Sequence, residues 1–148
     1  MSDSILVDTN LLVYAYDRSE PVKQSQAIRI LDYLSSNYLG VISTQVLAEF
    51  FVSVTRKITA PLSIEQAYAS IENYLAAWQV LDMTGQIVLE AVRGVRDYQF
   101  SYYDAQIWAA ARLNQIPVIF SEDFNPGTIE GIQFVNPFNQ TFQLEDWG

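Results

Sequence analysis

Short apolar runs that stop at a polar residue, each followed by a longer stretch of helical periodicity, limit the folds open to this chain. Ile5 to Val7 stops at Asp8, Leu39 to Ile42 stops at Ser43, Gln79 runs to Asp82, and Ile116 runs to Ser121 with Pro117 near its start. Runs this short suit parallel strands buried on both faces. Between them lie helical patterns at Leu11 to Tyr16 and at Pro21 to Asn37, the latter with Ala27, Ile30, Leu31 and Leu34 on one stripe. Ser43 or Thr44 caps the next, which carries Val46, Leu47, Phe50, Phe51 and Val54. After the break at Pro61, Ser63 and Gln66 form a capping box for a helix to about Trp78. Thr84 caps a helix through Arg96, and Ser101 to Asn114 is a further helix with Ile107, Trp108 and Ala111 on one side. Gln133 to Val135 reads as a last, short edge strand. Strands separated by helical pairs imply right-handed crossovers and an α/β class with a mainly parallel sheet covered on both faces.

Size and composition set further bounds. A chain of 148 residues, half of them hydrophobic, is expected to form a single domain over 1–148. At this size it buries roughly 68–70% of its unfolded surface. The absence of cysteine excludes a disulfide framework. Met1-Ser2-Asp3-Ser4 lacks the basic start of a signal peptide, and no apolar run nears the roughly 20 residues that span a bilayer. A soluble, cytoplasmic protein without membrane contact is expected. The net charge of −9, from 8 basic and 17 acidic residues, argues against gripping nucleic acid with the whole surface. Nucleic acid remains open only through a local basic rim or a bound metal.

Four acids sit where a strand or loop gives way to a helix: Asp8, Glu49, Asp104 and Asp123. Each has a structural reading. Asp8 caps the helix near Leu11, a role Asn10 already fills. Glu49 favours the macrodipole near a helix start. Asp104 completes a Ser101-x-x-Asp104 capping box. Asp123 opens a turn before Asn125-Pro126-Gly127, and its neighbour Glu122 is an alternative fourth acid. All four are nonetheless set in mostly apolar sequence, and ligands of α/β sheets bind beyond the carboxyl ends of the strands. Asn10 and Ser121 are small polar residues placed to orient ligands or water there. The remaining acids, among them Asp32, Glu90 and Glu130, are expected on solvated surface. Tyr14, Tyr102 and Tyr103 are suited to stacking on unpaired bases, but core packing is the expected fate of at least two of them.

Carboxylates gathered in low dielectric resist ionisation unless a cation neutralises them. With no histidine and no cysteine in the chain, the donors are oxygens, and the matching ion is hard: Mg²⁺ or Mn²⁺. Such a centre predicts metal-dependent phosphodiester cleavage, with a carboxylate or hydroxide as the proton acceptor in the absence of histidine. A receiver-like phosphoacceptor domain needs a nearby lysine. None follows Ile116 to Phe120, and Lys23 and Lys57 lie in other helices. A non-catalytic interaction module is the other alternative, favoured by the acidic, aromatic-rich composition and opposed by the complete acid set.

Val7-Asp8-Thr9-Asn10-Leu11-Leu12-Val13-Tyr14-Ala15, Ile42 to Phe50 around Glu49, Ser101 to Ala111 around Asp104, and Ser121-Glu122-Asp123-Phe124 resemble the PIN-domain pattern. The closing segment Gly131 to Phe138 is similar as well. The likeness is nearest to the VapC-like toxins of type II toxin–antitoxin pairs. It implies a three-layer α/β/α sandwich, Mg²⁺ or Mn²⁺, and endoribonuclease activity on single-stranded RNA. It places Asp8, Glu49, Asp104 and Asp123 as metal-holding and catalytic acids, with Asn10 and Ser121 beside them. It also implies a cognate antitoxin and a homodimer, for which Phe50 or Tyr68 are candidates for burial.

Overall fold

The computed structural model describes residues 4–147; Met1 to Asp3, most of the N-terminal segment considered above, and Gly148 lie outside it. The strands are β1 (Ile5–Val7), β2 (Gly40–Ser43), β3 (Gln79–Leu81), β4 (Val118–Phe120), β5 (Gly127–Ile129) and β6 (Ile132–Val135). The helices are α1 (Thr9–Tyr14), α2 (Pro21–Ser36), α3 (Thr44–Arg56), α4 (Ile64–Ala77), α5 (Gly85–Tyr98) and α6 (Tyr102–Leu113).

The sheet runs β3-β2-β1-β4-β6-β5, parallel except for the β5–β6 pair. β1 is central, with Leu6 opposite Val41 on one side and Ile119 on the other, and all three of its residues are buried. That explains its unbroken apolar sequence. The connections from β1 run outward through β2 to β3, then return across the sheet to β4, which puts the topological switch point between β1 and β4.

Aromatic side chains close both faces. Phe120 sits on one face, edge-on to Phe142 and Trp147, and α2 holds that segment through Tyr33 Oη, which donates to the Trp147 carbonyl at 2.6 Å. Phe134 is opposite Ile119, one register step from Phe120, and therefore points to the other face. There it stacks on Phe124 at 4.4 Å and meets Phe100, which packs on Trp108 of α6. The result is the three-layer sandwich.

Three sequence expectations need correction. The strand expected from Ile116 starts at Val118, because Pro117 has no N–H for the ladder; its carbonyl still accepts from Gln133 N at 2.8 Å. Gln133 to Val135 is not an edge: β6 is flanked by β4 and β5, and β5 forms the edge. β5 escapes sequence reading because Gly127 and Thr128 are exposed and carry no apolar alternation. Its hairpin turns on Glu130 and Gly131, with φ of 49° and 82°, as a two-residue primed turn requires. Glu90 is not solvated surface: its side chain is 12% exposed and paired with Arg93 at 2.8 Å and with Arg112. Arg93, with Arg112, holds the Glu90 carboxyl down to about 2.

Close packing leaves one glycine no latitude. A Cβ on Gly40 would lie 2.3 Å from the ring of Trp78, which is itself buried and edge-on to Tyr74. Gly40→Ala is expected to lower stability by about 1–3 kcal/mol through overpacking, read as a lower urea midpoint at unchanged slope. An unchanged midpoint would show that the indole moves freely.

Candidate metal centre

The polar end of β1 is built by the backbone. Asp8 N donates to the Phe120 carbonyl at 3.0 Å, which ties the end of β1 to that of β4, and α1 begins at the next residue. Asp8 is thus the N-cap of α1, accepting from Thr9 N at 2.7 Å, and Asn10 lies in the first turn rather than at the cap. The second carboxylate oxygen of Asp8 accepts from Ser121 Oγ at 2.7 Å. Asp8 is 5% exposed, and Ser121 is 1% exposed.

Asp104 and Asp123 converge on Asp8, with one oxygen from each of the three lying within 4.8 Å of the others. Asp104 comes from the first turn of α6, where Ser101 Oγ accepts from its N–H at 3.3 Å. The Ser101-x-x-Asp104 pattern therefore caps the helix while the carboxyl faces the cluster. Asp123 is set by its N–H donating to Ser121 Oγ at 3.1 Å and by Asn10 Nδ2 donating to its carboxylate at 3.1 Å. Glu122 turns the other way, to Lys23 at 2.6 Å and Tyr14 Oη at 2.6 Å.

Glu49 stands outside that three-acid group. It accepts from Thr9 Oγ1 at 2.8 Å and from Gln45 Nε2 at 3.3 Å. It remains close enough to Asp104 for its charge to help raise that carboxyl's pKa. Thr9, Gln45 and Lys23 were not singled out in the sequence. Gln45 stands one helical turn before Glu49, so helix spacing could have found it. Lys23 carried no local signal, and its position corrects the argument against a phosphoacceptor site: a lysine does reach the loop after β4, but it is engaged by Glu122.

Burial dominates the electrostatics. It pushes the Asp8 carboxyl up from 3.8 to about 6, against the hydrogen bonds from Ser121 and Thr9 and with help from the charges of Asp123 and Asp104. Asp104 is raised for the same reason, burial first and then Asp123 and Glu49. Two buried side-chain oxygens near these acids, Asn10 Oδ1 and Gln45 Oε1, have no hydrogen-bond donor. Raised carboxyls and undonated oxygens, with no nitrogen or sulfur ligand, fit Mg²⁺ or Mn²⁺. All three carboxylate oxygens lie within 4.8 Å of one another, which is compatible with the roughly 4 Å that opposite oxygens of a small hard cation span.

A cleft of about 290 Å³ opens beside Asp104 and Asp123, walled by Phe100, Phe124 and Phe134. A larger one, about 720 Å³, lies between the start of α2 and the Pro137 to Phe142 segment, away from the three acids. Of the three tyrosines considered for base stacking, Tyr14 is partly buried against Phe138, whereas Tyr102 and Tyr103 are exposed. Core packing thus holds for one rather than two, because the first turn of α6 projects its outer residues beyond the sheet.

A parallel sheet that gathers three acids at the carboxyl ends of its central strands defines an α/β domain built around a candidate hard-metal centre. The model of the PIN domain matches residues 5–127, and the chain belongs to that family. No curated protein matches it by sequence. Among solved structures, a toxin–antitoxin complex from Klebsiella pneumoniae aligns with TM-score 0.66 and 19% identity, covering 91% of this chain and 98% of that one. VapC20 of Mycobacterium tuberculosis, described as a sarcin–ricin loop cleaving toxin, aligns with TM-score 0.66 and 20% identity over 88% and 99%. DNA-bound VapBC from Salmonella typhimurium gives TM-score 0.64 and 19% identity over 93% and 99%. At these identities the likeness is one of fold.

The Asp8 carboxyl generates a prediction with a definite sign. Its protonated form is favoured by the fold, so that stabilisation is fully present below pH 3.8 and is lost as pH rises through about 6. The ionised group then costs on the order of 3 kcal/mol near neutral pH. Asparagine keeps an acceptor for Thr9 N–H and gives up the bond from Ser121 Oγ, its NH₂ taking the place of the accepting oxygen. Asp8→Asn is expected to raise the melting temperature of metal-free protein at about pH 7 by roughly 5–10 °C, and to change it little near pH 4. A fall at neutral pH would make Asp8 a structural cap alone.

Proposed function

We propose that this protein is a metal-dependent endoribonuclease acting on single-stranded RNA, the toxin of a toxin–antitoxin pair. The observation that carries this reading is Asp8, buried, with its pKa raised, and sharing a cluster with Asp104 and Asp123. Family membership and the toxins among its structural neighbours support it.

Asp8, Asp104 and Asp123 would hold Mg²⁺ or Mn²⁺, with Glu49 at the edge. Bound there, the ion supplies Lewis-acid stabilisation of phosphate charge and acidifies water. The rest falls to the chain's own groups. Ser121 and Thr9 fix the Asp8 carboxylate, and Asn10 fixes Asp123. Glu49, oriented by Thr9 and Gln45, would be the carboxylate that accepts a proton. Exposed Tyr102 and Tyr103, just before Asp104, offer flat faces for unpaired bases.

A cationic segment of an antitoxin complements both the acid cluster and the net charge of −9. Homodimerisation needs a different residue from Phe50, which is fully buried within one chain. Tyr68, 65% exposed on α4 beside exposed Ile64 and Leu75, remains a candidate.

Purified protein is expected to cut single-stranded RNA in Mg²⁺ or Mn²⁺ and to stop in EDTA. Asp8→Asn and Asp104→Asn should each lower the rate by at least about 100-fold, while Asp32→Asn, on an exposed position, should not. Undiminished cleavage in excess chelator, or in Asp8→Asn, would sink the reading. A protein that binds Mn²⁺ yet leaves RNA whole would favour the non-catalytic module.

A further inference from the structure

Glu122 and Asp123 are consecutive acids in the loop after β4, yet they are held by different partners. The backbone on either side is fixed. Ser121 N donates to the Val135 carbonyl at 2.9 Å, and Phe124 is buried in its stack on Phe134. Asp123 N–H also donates to Ser121 Oγ at 3.1 Å, so what the neighbouring side chains decide is the setting of the two carboxylates. A single face of α1 holds both: Asn10 donates to Asp123 at 3.1 Å, and Tyr14, one turn further along, donates to Glu122 at 2.6 Å. Lys23 of α2 completes the arrangement, 2.6 Å from the second Glu122 oxygen and 3.3 Å from Tyr14 Oη, with its ammonium over the Tyr14 ring.

We propose that Lys23 and Tyr14, by anchoring Glu122, select Asp123 rather than Glu122 as the acid facing the metal centre. They are positioning residues and act on the centre only through Glu122. This rests on the metal-centre reading above. Without the anchor, the loop is free to present the longer glutamate, whose carboxylate lacks the bond that Asn10 gives Asp123. The Asp123 corner of the centre then loses its fixed geometry.

The sign of the effect separates positioning from simple charge. Deleting a cation next to a cation site strengthens metal binding by Coulomb's law. Losing a positioning group weakens it, by about tenfold or more. Lys23→Met is therefore expected to bind Mn²⁺ about tenfold more weakly by calorimetry, with Lys23→Arg restoring most of the affinity. Tyr14→Phe, which keeps the packing on Phe138 and removes only the hydroxyl, should shift it the same way by less. If Lys23→Met fails to fold, Tyr14→Phe decides alone.

In a Glu122→Gln background, Lys23→Met should have no further effect. With RNA, the loss should appear in kcat rather than KM. Mn²⁺ affinity that is unchanged or higher in both Lys23→Met and Tyr14→Phe overturns the proposal, as does an equal loss in the Glu122→Gln background. Because the calorimetric readout needs no RNA, wild-type protein that binds Mn²⁺ tightly but cuts nothing would end the ribonuclease reading and leave this one standing. Wild-type protein that takes up no Mn²⁺ would end both.

Discussion

The seam between β1 and β4 is the constraint from which the rest of the structure follows. Asp8 N–H bonds to the Phe120 carbonyl, so the ladder still runs at the residue where a carboxylate leaves the strand. That carboxylate is buried, and among the described residues only Thr9 N–H and Ser121 Oγ donate to it. Two hydrogen bonds do not offset the desolvation, which is why burial still dominates its raised pKa. An apolar residue would serve β1 better. The fold accepts a local destabilisation at its most central strand, and such a position is where function is expected to reside.

Everything around Asp8 reduces to who answers which acid. Ser121 serves three partners: it donates to Asp8 and accepts from Asp123 N–H and Asn10 Nδ2. α1 contributes its cap, Asn10 and Tyr14, and Glu49 is served by Thr9 and Gln45. Among the described residues, no cation enters the three-acid group. The nearby one, Lys23, is drawn off by Glu122. Acids whose lysine has been diverted and whose neighbouring amide oxygens lack donors form a pocket of uncompensated negative charge, suited to a cation from outside.

Much of this was legible in the sequence, and the parts that were not have physical causes. β1, β2 and β4 announced themselves because strands buried on both faces must be apolar throughout. The capping box of α4 and the Thr84 cap of α5 appeared as read, since a cap is a local event. Asp8, Asp104 and Asp123 could be picked out because acids at element boundaries in apolar sequence are locally conspicuous. β5 was invisible, being an edge strand whose first two residues, Gly127 and Thr128, are exposed and carry no apolar signal. Lys23 and the pairing of Glu90 with Arg112 were missed because both depend on contacts across 22 residues or more. The choice between Glu122 and Asp123 could not be made from neighbours in sequence, since it is decided by residues on α1 and α2.

The acidic balance takes on a different meaning beside the ion pairs. Of the basic residues, Lys23, Arg93, Arg96 and Arg112 are engaged with carboxylates. Among those left, Arg56 and Lys57 sit at the end of α3, while Arg18 precedes α2 and Arg29 lies within it. Such a surface supplies little of the phosphate neutralisation that usually dominates affinity for nucleic acid. If the proposed function holds, an RNA strand at the acid cluster would be held by short-range terms: a cation between carboxylates and phosphate, and stacking on exposed tyrosines. The same negative field works in the opposite sense for a basic protein segment, which is attracted at long range and needs no metal to be accepted. Under the proposed function, one arrangement of charge would thus disfavour RNA at a distance, admit it where metal and aromatic faces coincide, and favour a cationic protein competitor for that place.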